Sequence, residues 1–250
     1  MTVNEHVVEA WRVVAPPKDN PHGPLPPLLL LMTVVTGLVD AFSYLSLGHV
    51  LVANMTGNVV FLGFAVGGAP GFVWWASLLA IGTFLVGAFL GGRLNEVVGH
   101  HRGRHLCLSA IVETVLVLLS LVVTVFTDPR SDGVYHGGVL LLLIALLGIA
   151  LGLQNATARA LAVPDLTTTV LTLTITGIAA DSHAAGGQSS KLGRRLVPIA
   201  TMFLGGLVGA ALVLHDHRTW VLVIAAGLLA LVVLLSQPAS RSQAAWTTKK

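Results

Sequence analysis

Six stretches of the chain are apolar almost without interruption, and each reads as a membrane-crossing helix: Leu28 to Leu47, Phe72 to Leu94, Leu106 to Phe126, Val139 to Leu153, Val197 to Leu214 and Thr219 to Ser236. Short breaks rich in Gly, Arg, His and Pro separate them. Two further segments are apolar but interrupted. Val50 to Gly68 carries Ala53-Asn54-Met55-Thr56-Gly57-Asn58 near its start, and Leu166 to Ala180 carries six threonines between Asp165 and Asp181. The second is only about 15 residues long, and at ~1.5 Å per residue it falls short of a hydrocarbon core of about 30 Å. Both segments are expected to dip into the bilayer, as re-entrant or broken helices, and to leave by the face they entered.

Composition agrees with this pattern and narrows the class. Of the 250 residues 54% are apolar and 10% charged, and the mean hydropathy is +0.84, which excludes an ordinary soluble domain. The expected fold is all-α, a polytopic helical bundle in which residues 28–236 form a single membrane domain. Residues 1–27, with six prolines from Pro16 to Pro27, read as a flexible tail, and residues 237–250 as a second one. The first lacks the order of a signal peptide. Cys107 has no second cysteine to pair with and reads as a small buried filler.

Charge placement bears on topology, because Lys and Arg in short loops favour the cytoplasmic side. With all eight segments crossing and the N-terminus inside, nine basic residues lie inside and five outside. With the two interrupted segments returning to their own face, the division becomes twelve against two, leaving Arg130 and Arg218 outside. That arrangement places both termini in the cytoplasm and the protein in the cell (inner) membrane as a multi-pass bundle. Trp74, Trp75 and Trp220 then begin crossings at the external face, where interfacial tryptophans are expected. The net charge of +3 reflects these loops rather than a nucleic-acid partner; the partners expected are the lipid bilayer and a small solute, with self-association into a homo-oligomer left open.

The chain also matches itself. Thr36-Gly37 with Asn54-Met55-Thr56 corresponds to Leu147-Gly148 with Asp165-Leu166-Thr167, and Phe84-Leu85-Val86-Gly87 to Phe203-Leu204-Gly205-Gly206. Two repeats, 28–126 and 139–236, follow. Three crossings per repeat turn the second copy upside down, which gives an inverted repeat of the kind found in secondary transporters. Their sites lie near mid-membrane, where interrupted helices of the two copies meet.

The candidate chemistry consists of polar groups within apolar runs. Asp40 sits deep in the first crossing, where a carboxylate normally faces a cavity or a partner. Asn54, Thr56 and Asn58, around Gly57, supply amide and hydroxyl groups where a helix can break. Gln154 and Asn155 close another crossing, ahead of Pro164, Asp165 and the threonines, among them Thr168 and Thr172. Each also has a purely structural reading: Asp40 tied to a neighbouring helix, the asparagines and Gln154 in an interhelical seam, threonine hydroxyls returned to their own backbone, Asp165 as a helix cap. Asp40 and Glu113 are proton-coupling candidates, Glu113 reading equally as a snorkelling or seam residue. His100, His101 and His105 lack acidic or cysteine partners at ligand spacing, so neither metal nor cofactor is expected, and no nucleophile with a base suggests an enzyme.

Gly37-x-x-Asp40, Ala53-Asn54-Met55-Thr56-Gly57-Asn58, Gly152-x-Gln154-Asn155-Ala156 and Leu166-Thr167-Thr168-Thr169-Val170-Leu171-Thr172 together resemble the YoaK-type family of bacterial integral membrane proteins over about Leu28 to Ser236. Where that family carries glycine among the threonines, this chain has Leu173. The family is a domain of unknown function described as a small-molecule transporter, so the resemblance implies a helical membrane domain and transport of a small solute.

Overall fold

The computed structural model describes residues 3–166, 171–182, 185–187 and 190–248. Among the described residues, six helices are long and apolar enough to span a bilayer: α2 (Leu25–Ser46), α4 (Trp74–Val98), α5 (Arg102–Phe126), α6 (Gly137–Leu161), α8 (Leu192–Leu214) and α9 (Arg218–Arg241). At 22 to 25 residues each, they are about 33–37 Å long. The two interrupted segments hold the short helices α3 (Met55–Val66) and α7 (Leu171–Ala180). Residues of α4, α5, α8 and α9 such as Phe89, Val122, Phe203 and Leu234 are exposed and apolar, as lipid-facing surfaces must be.

Two contact sets define the ends of the bundle. At one end His49 is bonded to the Gly71 carbonyl at 2.9 Å, the Tyr135 N–H donates to Ser46 at 2.9 Å, and Arg218 donates to the Gly133 carbonyl at 3.0 Å. At the other, Arg102 donates to the Leu161 carbonyl at 2.6 Å, Arg104 to Ser240 at 3.2 Å, and Arg194 to Pro164 at 2.7 Å. Arg130 and Arg218 belong to the first end, and Arg12, Lys18, Arg93, Arg102, Arg104, Arg159, Lys191, Arg194, Arg195 and Arg241 to the second, so the bundle has one basic end.

The His49–Gly71 bond settles the path of the first interrupted segment, since the residues before and after it meet. Its chain goes in as an unwound loop, Val50 to Asn54, and returns as α3, which is ~18 Å long and cannot cross. Tyr44, His49, Phe61, Phe64 and Phe72 pack their rings together at the mouth, with centroids 5.0–6.2 Å apart. The residues before and after the second segment also meet, at the basic end. Arg195 at the start of α8 reaches Asp165 on one side of it (3.5 Å) and Asp181 on the other (2.7 Å). After replacing Cys107, single cysteines introduced as Val66→Cys and Ala180→Cys should therefore react with impermeant maleimide from opposite sides of the membrane. Labelling of both from one side would contradict the two hairpins.

Helix packing is pairwise. Setting the N-terminal helix α1 (Val3–Val14) aside, exchange α2 with α6, α3 with α7, α4 with α8 and α5 with α9: each well-packed pair then maps onto another, α2–α8 onto α4–α6, α2–α9 onto α5–α6, α3–α4 onto α7–α8, and α5–α9 onto itself. The two tightest pairings rest on glycine. A Cβ at Gly37 would run into the Met202 carbonyl of α8, one at Gly205 into the Val34 carbonyl of α2, and one at Gly87 or Gly152 into backbone of the partner in the α4–α6 pair.

Several boundaries differ from the apolar runs. The fourth crossing in chain order, α6, continues eight residues past Leu153 to Leu161, because Gln154, Thr157 and Ala158 are buried against other helices rather than exposed. It ends with Ala162 in the left-handed region (φ 49°), ahead of Pro164. The N-terminal stretch read as a flexible tail is partly helical: α1 (Val3–Val14) packs on α8, where the His6 carbonyl lies over Gly193. Val7, Trp11 and Val14 line its exposed side at helical spacing, a short amphipathic pattern that a search for long apolar runs passes over. The C-terminal stretch also packs, with Trp246 covering Gly23.

Candidate functional site

Polar residues recur along the inner faces of three helices. On α2, Thr33, Thr36, Asp40 and Ser43 follow each other at spacings of three and four and are all buried. On α5 the stripe is His105, Ser109, Glu113, Ser120 and Thr124, and on α6 it is Gln154 and Thr157. Most hydroxyls are returned to their own helix: Thr36 to Met32 at 3.0 Å, Ser120 to Leu116 at 3.0 Å, Thr124 to Leu121 at 2.9 Å. Shorter bonds cross between helices. Gln154 donates to the Thr36 hydroxyl at 2.7 Å, joining α6 to α2, and Ser109 and Thr157 share a bond of 2.8 Å, joining α5 to α6.

Asp40 is the anchor of the first hairpin. Its Oδ1 accepts from the Ala53 N–H at 2.9 Å, with the Val52 N–H a second donor. Val52 and Ala53 are 0% and 2% exposed. Asp40 precedes the last residue of α2 by six positions, so the loop is drawn roughly 9 Å below the helix end. Asn58 completes the fold of the loop, accepting from the Leu51 N–H at 2.9 Å and donating its amide to the Leu51 carbonyl. Asn54 caps α3, accepting from Gly57 N–H at 3.3 Å. Unwound backbone within the membrane has thus found protein donors and acceptors, as the absence of water in lipid demands.

The structure brings some of the sequence-predicted residues together and separates others. Asp40 and Asn58 hold one buried loop, and Gln154 lies one turn below Asp40 on the Thr36 side. Asn54 and Thr56 are exposed, Asn155 returns its amide to Leu151 at 2.9 Å, and Thr172 is exposed on α7. Thr168 lies outside the described residues. Asp165, read as a cap, forms ion pairs with Arg194 (3.0 Å) and Arg195 (3.5 Å). Glu113 is fully buried, which removes any snorkelling role. The α5 stripe around it was not singled out from the sequence, although its four- and seven-residue spacing was there to read. Among the described residues no three His, Cys, Asp or Glu side chains come together as a metal site.

The two cavities described open at the ends. One of about 1030 Å³ lies at the basic end between α1, Leu166 and Arg194, and one of about 430 Å³ at the other end between Asp128, Tyr135 and Arg218. His22 borders the first, with its pKa lowered by desolvation and then by the Arg102 and Arg194 charges, so its Nδ1 is free to accept from Arg102 at 3.1 Å.

A family model described as "protein of unknown function (DUF1275)" matches residues 28–235. The chain is 34% identical over 157 residues to the UPF0700 transmembrane protein YoaK of Bacillus subtilis (strain 168), a match covering 62% of this chain and 65% of that relative, just under two thirds of its length. No solved structure matches.

Proposed function

From the premise that the chain belongs to the DUF1275 family of multi-pass membrane proteins, we propose that it moves a small solute across the bilayer, binding it at mid-membrane beside the first hairpin. The observation carrying this reading is the buried, unwound loop held on Asp40 within a membrane span, opposed by a second hairpin entering from the other end. The exchange symmetry of the packed pairs supports an inverted repeat, an architecture suited to opening toward either face in turn. The structure is then a closed state, and solute takes over the backbone groups that Asp40 and Asn58 now satisfy. Basic side chains of the spans sit near their ends, so the favoured cargo is neutral or carries a single charge rather than being a multiply charged anion. The basic end faces the cytoplasm and the membrane is the inner one, by the loop-charge rule.

A metabolite screen for thermal stabilisation of the detergent-solubilised protein should identify a binder. Its flux into proteoliposomes should then exceed that of protein-free vesicles at least severalfold, and fall in Asp40→Asn. Absence of any binder and of any flux would remove the reading. A structural role is the second reading, favoured by Asn58, Asn54 and Asn155 all being engaged with backbone. It predicts that Asp40→Asn changes stability while no variant changes flux.

A further inference from the structure

Glu113 is 0% exposed on α5, and neither carboxyl oxygen has a hydrogen-bond partner among the described residues. The Ser109–Thr157 bond sets the register of α5 against the antiparallel α6. One turn up α5 from Ser109 is Glu113; three residues back on α6 from Thr157 is Gln154. The two side chains therefore occupy nearly the same depth, about 5 Å beyond the bond that fixes the register. Gln154 directs its amide N–H groups to the Thr36 hydroxyl at 2.7 Å and the Met32 carbonyl at 3.4 Å, and its Oε1 is a buried acceptor with no donor among the described residues. The helices packed on α5 carry charged groups only toward their ends: Arg93 and Glu96 on α4, Arg159 on α6, Arg218 and Arg241 on α9. Across the core α2 offers Asp40, already bonded to the hairpin loop, and α5 itself offers His105 two turns toward the basic end.

We infer that Glu113 is a proton-binding site that couples proton movement to solute movement, an inference resting on the transport reading above. An ionised carboxylate with no donor and no counter-charge is poorly held in such a place, whereas a carboxylic acid fits it. Its O–H can donate to Gln154 Oε1, giving each of the two orphaned groups the partner it lacks. A metal cation fits less well, because it requires several oxygen ligands and the nearby hydroxyls are committed: Ser109 to Thr157, Thr114 to Ala110 at 2.6 Å, Ser120 to Leu116 at 3.0 Å. Ser109, Thr157 and His105 continue the polar line from Glu113 toward the basic end, with His105 Nε2 3.5 Å from the Thr157 hydroxyl. One proton leaves the acid along this side for water, and the carboxylate takes one back from the opposite face after the bundle rocks. No other bond changes.

Dicyclohexylcarbodiimide, a lipid-soluble reagent, tests this without knowledge of the solute. It adds to a protonated carboxyl: the acid proton passes to one reagent nitrogen, the carboxyl oxygen bonds the central carbon, and the acyl group then migrates to nitrogen, leaving a stable acylurea. Mass spectrometry of the treated full-length protein in liposomes should find the adduct on the Glu113 peptide. Its yield, corrected for reagent hydrolysis, should fall severalfold as pH rises; the adduct should persist in Asp40→Asn and vanish in Glu113→Gln. No adduct at any pH, or a yield indifferent to pH, overturns the inference. This readout needs no solute, so its failure removes the proton site alone, while an absence of solute flux removes the transport reading alone.

Discussion

Gly87→Val should keep the bundle from closing, with loss of the monodisperse species on size-exclusion chromatography or a large fall in thermal midpoint, while Gly82→Ala on the same helix should leave both unchanged. The side chain introduced at Gly87 would occupy the space of the Ile149 carbonyl and Cα on α6, whereas nothing lies within 4 Å of a Cβ at Gly82. Inserted bulk normally costs about 1–3 kcal/mol when neighbouring side chains can turn aside. Here the obstacle is main chain, which has no rotamer to change. Gly152, one turn beyond Ile149 on α6, presses back on Phe84 and Ala88 of α4, so the two helices cannot slide to relieve the contact. A cost of about 3 kcal/mol or more is expected. Gly37→Val should behave likewise in the α2–α8 pair, since a Cβ there would meet Met202 and Gly206 backbone. A Gly87→Val protein as stable as the parent would show that these helices are not held by close backbone approach.

The second large effect is expected at Asp40. Asp40→Ala leaves the Val52 and Ala53 N–H groups buried without an acceptor. At about 1–3 kcal/mol for each of the two orphaned donors, roughly 2–6 kcal/mol should be lost. Asp40→Asn retains an oxygen at the same place and should lose only about 1 kcal/mol, the difference between a charge-assisted and a neutral bond. Thermal unfolding in detergent measures the ordering. Hydrogen exchange locates it, because the amides of residues 51 to 53 should lose protection in Asp40→Ala before those of α2 do. Equal stability of the alanine and asparagine variants would mean that Asp40 does not anchor the hairpin.

Much of this arrangement was legible in residue order. Long apolar runs announced the six spans, and the shortness of Leu166 to Ala180 together with the distribution of arginines announced the hairpins, which the meetings of His49 with Gly71 and of Arg195 with Asp165 and Asp181 now trace. Counting apolar residues failed where a helix continued through polar positions. Gln154 and Thr157 stay helical because other helices, not water, receive their side chains. It failed again at α1, whose 12 residues carry only a stripe of apolar groups. The site was legible as a set of residue types and not as an arrangement. Asn54 and Asn58, four residues apart in one motif, take different tasks, one capping a helix and the other fastening a loop, because only Asn58 faces inward. Glu113 stood out as an acid among apolar neighbours, but its want of a partner depends on the register of α5 against α6, which is a property of two helices at once.

The crossed pairing has a consequence for biogenesis. Each half of the polypeptide makes a grooved helix whose fitting ridge is synthesised in the other half: α4 awaits α6, and α2 awaits α8. The ribosome therefore delivers to the membrane a first half that has no finished interior of its own, and its maturation must pause until α8 has been inserted. For the same reason, two halves encoded on separate messages have in each other the complement they lack, and a cut in the connection between α5 and α6 severs none of the contacts that join them.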